Sequence, residues 1–452
     1  MRAAIIFTFI FFSKSVLSLT NNELNLARSN GLYFALIPTL KNKITNLSLT
    51  KRDIKTVTEI TESLGGEQFE QISSSYLGKI NSGVSLYLSA KQLFKDGKFS
   101  QALGQIKRSL KIRDGLDPFK YLLAGSASVL LRNDLEGKKY FNLCLDSTRS
   151  NRGKFDQQQI FNQELGYAYD SCLVGLARIE FQLKNFSSAK NLYGNLKKSS
   201  LIWPEILFEE AWNSFYENDF NRTLGKLITY NSPFIAHVFN PEVEVLNAMT
   251  YLELCRYDDA KKTVNDFYKK YKRDSKLLTE FNSRYRRYPS KLGKIAVQFN
   301  NNPVEVNKLL SKLFRSLNRD LSFQRMRGNL IKIKDEIRLV KNVKNRRLRS
   351  KLAKNLKQVY LDQIKIIGRY SQRILRRQEK VLEKSMIGMS YINLEIIKKL
   401  KRKFFAKEDH SKKIGNIKNL KRDSGQYLWD FNGEFWADEL GDYVFSLKSS
   451  CG

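Results

Sequence analysis

The chain has 452 residues, of which 42% are hydrophobic, so its composition is that of a folded protein of two or three domains and excludes a disordered one. Its 79 Lys and Arg outnumber 45 Asp and Glu, and the formal charge of +34 indicates acidic partners or anionic surfaces. Seven prolines and a scarcity of Val-rich alternating segments predict a mostly α-helical fold.

Residues 1–18 have the features of a secretory signal peptide. Arg2 is followed by an apolar stretch broken only by Thr8, and Val16, Leu17 and Ser18 suit cleavage. The alternative is a buried N-terminal helix, which Lys14 would interrupt. We therefore expect an exported protein of the periplasm or cell envelope. Residues 19–80 have a helical pattern with a turn at Gly65 and Gly66, and we expect them to form an N-terminal helical cap.

Residues 81–282 contain one spacing of small and large residues, +4, +5, +3 and +4, in four copies. The +4 steps keep two side chains on one helix face, and the +5 step crosses a turn into a second helix. A fifth, degenerate copy is expected at Ala127, Leu131, Glu136, Lys139 and Leu143. The four copies are Ala90-Phe94-Phe99-Ala102-Ile106, Ala177-Phe181-Phe186-Ala189-Tyr193, Ala211-Phe215-Phe220-Thr223-Leu227 and Ala248-Leu252-Tyr257-Ala260-Val264.

Two of these copies start 34 residues apart, and the chain resembles tetratricopeptide-repeat (TPR) proteins at Leu176, Ala177, Phe186 and Ala189. It departs from that family where Glu180 and Ser214 replace a tyrosine. The resemblance implies an all-α solenoid of TPR-like helix pairs, whereas the alternative is an unrelated irregular helical array.

The resemblance also implies a concave groove for a partner peptide, with aromatic anchors in its middle. For each aromatic residue the alternative is core packing, which is as good an interpretation as binding for Phe208. The groove positions lie in the first helix of each repeat, which we call helix A, and are Tyr87, Lys91, Lys95, Val174, Arg178, Gln182, Phe208, Trp212, Tyr216, Val245, Met249 and Glu253.

Residues 283–424 are expected to form a basic extension of long helices, as a helical hairpin or coiled coil, with candidate bends at Gly368 and Gly388. No proline follows Pro303, and from residue 304 to 424 there are 35 Lys and Arg against 11 Asp and Glu. Unpaired cations on a helix face repel each other, so two basic runs favour anion binding, to lipid head groups, an acidic partner or, less readily in an exported protein, nucleic acid. The candidate anion-binding residues are Arg346, Arg347, Arg349, Lys351, Lys398, Lys399, Lys401, Arg402 and Lys403.

Residues 425–452 form an aromatic and acidic tail, which we do not expect to remain free in water. The stretch from Tyr427 to Tyr443 resembles the closing segment of TPR proteins in the envelope of gliding and predatory bacteria. This resemblance implies an envelope role, within a machine for gliding, secretion or predation, and no particular chemistry.

Catalytic motifs are scarce. His237 and His410 lie in no metal-type spacing, and no Gly-rich phosphate loop is present, so we expect neither an enzyme nor a cofactor. Cys144 and Cys172 are expected in successive helices, where a bridge is one option, but we favour packed free thiols for the four cysteines. The sequence thus predicts a scaffold that binds envelope proteins, and the alternative is a binder of anionic membrane or nucleic acid.

Overall fold

The computed structural model describes residues 18–151, 159–299, 307–406 and 433–451. The expected signal peptide, up to residue 17, and residues 407–432 lie outside the described part. Eighteen α-helices, joined by turns and three short 3-10 helices, make up the described fold, so the expected all-α class is confirmed. In chain order they are α1 Asn21–Ser29, α2 Tyr33–Thr45, α3 Lys51–Leu64, α4 Ser74–Leu77, α5 Gly83–Lys95, α6 Phe99–Ser109, α7 Asp117–Leu130, α8 Asp134–Asn151, α9 Gln159–Gln182, α10 Phe186–Gly194, α11 Trp203–Tyr216, α12 Phe220–Ile228, α13 Glu242–Glu253, α14 Tyr257–Tyr285, α15 Pro289–Gln298, α16 Lys308–Arg319, α17 Leu321–Val340 and α18 Arg346–Ala406.

Five helix pairs, from α5–α6 to α13–α14, follow one another as a TPR-like solenoid. In the four predicted copies the first small residue of helix A is an alanine that is fully buried, which lets the paired helix approach closely. Each pair turns on a residue seven positions later with a left-handed backbone, at φ between 55° and 76°. These turn residues are Gly97, Arg132, Lys184, Asn218 and Cys255.

The degenerate repeat is present, but our alignment of it was wrong by two residues. Its turn residue Arg132 puts the small positions at Gly125 and Gly137, where we had placed Ala127 and Lys139. A Cβ atom on Gly125 would lie 2.6 Å from the Phe141 ring. Glycine therefore takes the role that alanine has in the other repeats, and the large ring fills the space.

The cysteines are paired, contrary to our preference for free thiols. Cys144 of α8 and Cys172 of α9 form one disulfide, with Cα atoms 6.3 Å apart, because the two long helices run side by side. Cys255, in the last repeat turn, is bonded to Cys451 in the tail.

The helix α18 has 61 residues and is about 90 Å long, so it spans both ends of the array. It forms an antiparallel hairpin with α17. Its first part, with Leu352 and Leu356, shares a core with α2 and α3, and its later part, with Leu382 and Met389, shares a second core with α13 to α17. The basic helices thus pack onto the rest of the chain.

The helix α18 continues without a break through Gly368 and Gly388, the two candidate bends. A Cβ atom on Gly368 would lie 1.7 Å from the Pro289 carbonyl oxygen of α15, and one on Gly293 of α15 would lie 2.2 Å from the Ile364 carbonyl oxygen of α18. Gly368 and Gly293 thus permit a close helix crossing. At Gly388, α18 passes Val245 of α13.

The N-terminal helices are held by the C-terminal hairpin. No side chain of its own caps the N-terminus of α2; instead the Glu336 carboxylate of α17 accepts hydrogen bonds from the N–H groups of Phe34 and Ala35, at 2.8 and 3.1 Å. Lys351 of α18 pairs with Glu23 of α1 at 2.9 Å. These contacts join the N-terminal helices to α17 and α18.

The described part of the tail packs on α11 and α12. Leu440 and Tyr443 are buried against Trp203 and neighbouring residues, and the backbone of Tyr443 lies directly over Gly225. Further along the tail, the Asn221 side chain of α12 forms two hydrogen bonds with the backbone of Leu447. No helix among the described residues is both long enough and apolar enough to cross a bilayer.

Candidate functional site: an aromatic cleft in the middle of the array

A cleft of about 380 Å³ lies between the third and fourth helix pairs. Arg178 and Phe181 of α9 face Glu209 and Tyr216 of α11 across it. The cleft is lined by Arg178, Phe181, Tyr193, Glu209, Trp212 and Tyr216.

The polar wall of the cleft is one bidentate ion pair. The Arg178 guanidinium donates to Glu209 with Nη2–Oε1 at 2.6 Å and Nε–Oε2 at 2.9 Å. Tyr193 donates its hydroxyl to the same carboxylate at 3.1 Å, and burial, together with the charge of Glu209, raises the pKa of that hydroxyl. The two opposite charges cancel, so the wall presents polar groups without net charge.

The apolar wall is a cluster of rings centred on Tyr216, whose side chain is 52% exposed. Tyr216 stacks on Trp212, with ring centroids 5.8 Å apart, and on Phe186 at 5.7 Å. Phe181 meets Tyr216 edge to face at 5.6 Å. These contacts fix the orientation of the rings before any ligand arrives, which reduces the entropy cost of binding.

The structure brings three of the predicted groove residues, Arg178, Trp212 and Tyr216, into this cleft. Sequence reasoning missed Phe181, Tyr193 and Glu209 as lining residues. The sequence predicted Phe181 and Tyr193 only as packing residues of a repeat. The charge of Glu209, opposite to that of Arg178, was the signal that could have identified it. Gln182 is exposed next to the cleft but does not line it.

At the N-terminal end of the array the predicted groove residues interact with the chain itself. Lys91 pairs with Glu70 at 2.7 Å, and Lys95 pairs with the same carboxylate. Burial favours the neutral form of Glu70, but the two ammonium groups outweigh it and hold its pKa well below the usual range. Tyr87 is half-buried against the N-terminal core.

At the C-terminal end, α18 lies over the groove side of α13. Met249 and Val245 pack into the core that α18 shares with α13 to α17. Glu253 is exposed one turn further on. The predicted groove is therefore open in its middle and occupied by the protein's own helices at the C-terminal end.

The two predicted anion-binding runs lie far apart. Lys351 and Lys398 are 47 residues apart on one helix, about 70 Å, so the runs form no common site. Lys351 pairs with Glu23, and Lys398 with Glu395 at 3.3 Å. The other residues of these runs have varied surroundings: Arg346, Arg347 and Lys401 are exposed, Arg349 and Lys399 are half-buried, and the side chains of Arg402 and Lys403 lie outside the described residues.

His237 contacts the basic helices and does not face the cleft. Its ring nitrogens lie 3.0 and 3.2 Å from Nη1 of Arg319. Burial, with the charges of Arg319 and Lys312, lowers the pKa of His237 to about 4, so the ring is neutral at pH 7. His410 lies outside the described residues.

Comparison with known proteins identifies no family. No family model and no curated protein matches the chain. Among solved structures, a chain in "Structure of Naa15/Naa10 bound to HypK-THB" matches with 15% sequence identity over 85% of this chain and a TM-score of 0.19. The match spans 63% of that chain's length. At this TM-score the likeness supports no statement about function.

Proposed function

We propose that the chain is an exported, non-enzymatic scaffold that binds partner proteins of the bacterial cell envelope through the aromatic cleft. The cleft carries this proposal, since it is a preformed apolar site with one neutral polar wall in the open part of a TPR-like array. Its volume suits one or two large apolar side chains of an extended segment. The paired Arg178 and Glu209 are suited to binding the amides of that segment's backbone.

The disulfides support the proposed location. Such bonds persist in oxidising compartments such as the periplasm and are rare in the cytosol. The signal-like residues 1–18 point the same way. The tail's likeness to envelope TPR proteins of gliding and predatory bacteria is the sole basis for a role in a gliding or secretion machine.

A photo-crosslinking amino acid at Tyr216, introduced in the native cells, tests the cleft. We expect one or a few specific protein adducts, which are lost on Trp212→Ala because that ring holds Tyr216 in place. Tyr76 of α4, which is 41% exposed and does not line the cleft, is the matched control position and should give different adducts. Identical adducts at both positions, or adducts unaffected by Trp212→Ala, would contradict the proposal.

The compartment has its own test. Amino-terminal sequencing of the protein from its cells should begin near Leu19, and its four cysteines should resist alkylation until a reductant is added. An intact Met1 with alkylatable cysteines would place the protein in the cytosol.

The alternative, a binder of anionic membrane or nucleic acid, rests on the exposed cations of α18. It predicts binding to vesicles or to polynucleotide that falls steeply with salt and survives Trp212→Ala. Binding to the crosslinked partner would fall far less with salt, because the cleft has no net charge.

A further inference from the structure

A row of exposed apolar side chains lies on α18, and none of them lines the cleft. Ile387, Tyr391, Leu394 and Ile397 are 51%, 70%, 62% and 54% exposed. Their steps of 4, 3 and 3 residues put them on one side of the helix over about 15 Å, and we call them the α18 stripe. The opposite side, with Met389, is buried in the core, so the stripe is not needed to hold α18 in place.

Cations continue the line of the stripe in both directions. Arg373, Arg376 and Lys380 precede it and Lys398 and Lys401 follow it, at the same steps of 3 or 4 residues. All five side chains are exposed. Within the described part of the chain, Arg376 and Lys380 form no ion pair.

Three acids lie on this side of the described helix, and one of them, Glu379, is half-buried and accepts a hydrogen bond from Asn282 of α14. Glu383 is exposed between Lys380 and Ile387, and Glu395 pairs with Lys398 within the helix, an exposed pair of little strength. The stripe therefore has an apolar centre with a positive field at both ends, which is the arrangement of a binding surface with central anchors and a charged rim.

A second helix, α14, lies beside the stripe. Tyr268 of α14 contacts Ser390 at 3.0 Å between the hydroxyl oxygens, and lies 3.1 Å from the Met386 carbonyl oxygen. The helix α14 thus runs beside the stripe. A third helix with apolar residues at the same 3- and 4-residue steps would pack along it.

We propose that the α18 stripe binds an amphipathic helix of a partner protein, with an apolar centre and acidic residues at both ends. The charge argues against a second copy of this chain, since two such stripes would bring cations against cations. The border formed by α14 favours a helix over a flat lipid surface. From Lys380 to Lys398 the surface is about 27 Å long, which an acidic helix of some 20 residues covers.

The experiment uses the full-length protein and a designed, fluorescently labelled peptide of about 20 residues. It has leucines at the 3- and 4-residue steps and three glutamates at each end; a second peptide has lysines in their place. Fluorescence anisotropy should show saturable binding of the acidic peptide alone. Tyr391→Glu and Leu394→Glu should each weaken it about tenfold or more, because each removes an anchor and adds a repelling charge.

The matched control is Leu361→Glu, the same change of charge on the same helix, at a residue that is 45% exposed and outside the stripe. It should leave binding within about twofold of the unmodified protein. Trp212→Ala should also leave it unchanged, so that a failure of the cleft and a failure of the stripe are distinguishable.

Four outcomes would overturn the proposal. Equal weakening by all three glutamate variants would show non-specific charge attraction, and equal binding of the lysine peptide would exclude acidic recognition. Flotation with phosphatidylglycerol vesicles that needs Tyr391 and Leu394, without peptide binding, would assign the stripe to lipid. Sedimentation showing a dimer that Leu394→Glu dissociates would assign it to a second copy.

Discussion

The ends of the repeat array and its middle use the same repeat positions differently. The position one residue past the first small residue of helix A shows this. At one end Lys91 forms an ion pair with Glu70, and at the other end Met249 is covered by α18. In the middle, Trp212 lines an open cleft. Position in a repeat therefore sets the direction of a side chain, and the elements outside the repeats decide whether that side chain remains available for a partner.

The largest effect is expected where α18 closes the C-terminal end. Gly368→Ala puts a Cβ atom 1.7 Å from a backbone oxygen of α15, so one helix must move. We expect a loss of about 3 kcal/mol or more in the free energy of unfolding, measured by urea denaturation followed by circular dichroism. The matched control is Gly328→Ala in α17, where no neighbouring atom lies within 4 Å and helix propensity predicts a gain of up to about 1 kcal/mol. Similar effects of the two changes would contradict a close crossing.

A second large effect is expected on the other side of the middle repeats, where the tail lies. A Cβ atom on Gly225 would lie 1.6 Å from the Tyr443 carbonyl oxygen, so Gly225→Ala should lift the tail from α12. Chymotrypsin should then cleave the tail at least about tenfold faster, since cleavage follows the population of the opened state. Gly194→Ala in α10, which has open space around it, should leave the rate unchanged. The Cys255–Cys451 disulfide would retain the cleaved end until reduction.

The same distinction, between packing within the repeats and contacts from outside them, separates what the sequence predicts from what it does not. The spacing around Ala177, Ala211 and Ala248 determines local packing within and between neighbouring helices, so the solenoid and the orientation of Trp212 were predictable. The degenerate repeat was misaligned because glycine was not counted as a small packing residue at Gly125 and Gly137.

The spacing of the repeat residues could not predict which other parts of the chain contact the repeats. Val245 meets Gly388, and Cys255 meets Cys451, across 143 and 196 residues of sequence, and no local periodicity specifies such pairs. The sequence therefore predicted a groove along the whole array, whereas in the structure α18 covers its C-terminal end.

A smaller effect is expected at the N-terminal end of the array, where Lys91 has the repeat position of Trp212 but pairs with Glu70. Lys91→Met leaves the Glu70 carboxylate, 10% exposed, with Lys95 alone, and should cost about 1–2 kcal/mol of stability. It should leave crosslinking at Tyr216 unchanged, because Lys91 faces Glu70 and not a ligand. Combining it with Glu70→Gln should remove most of its cost, since no buried charge is then unpaired. A loss of crosslinking with stability unchanged would show instead that the groove extends to this end.

The smallest effect concerns the Glu336 contact that joins the N-terminal helices to α17. Burial raises the pKa of this carboxyl to about 7, although it accepts two backbone hydrogen bonds. The folded state thus binds a proton more tightly than the unfolded state. The resulting stability is complete below the unfolded pKa, near 4.5, and is lost as the pH rises through about 7.

His237 acts in the opposite direction. Its folded pKa of about 4 lies below the ordinary 6.5, so its contribution is lost as the pH falls below 6.5, and the two titrations partly cancel in the unmodified protein. Glu336→Gln keeps His237 and removes the first titration. The difference in unfolding free energy between the two proteins should change by about 1 kcal/mol from pH 8 to pH 6, with the unmodified protein gaining at the lower pH. A constant difference would mean that the backbone N–H groups of α2 keep Glu336 ionised, and that the N-terminal contact is insensitive to pH.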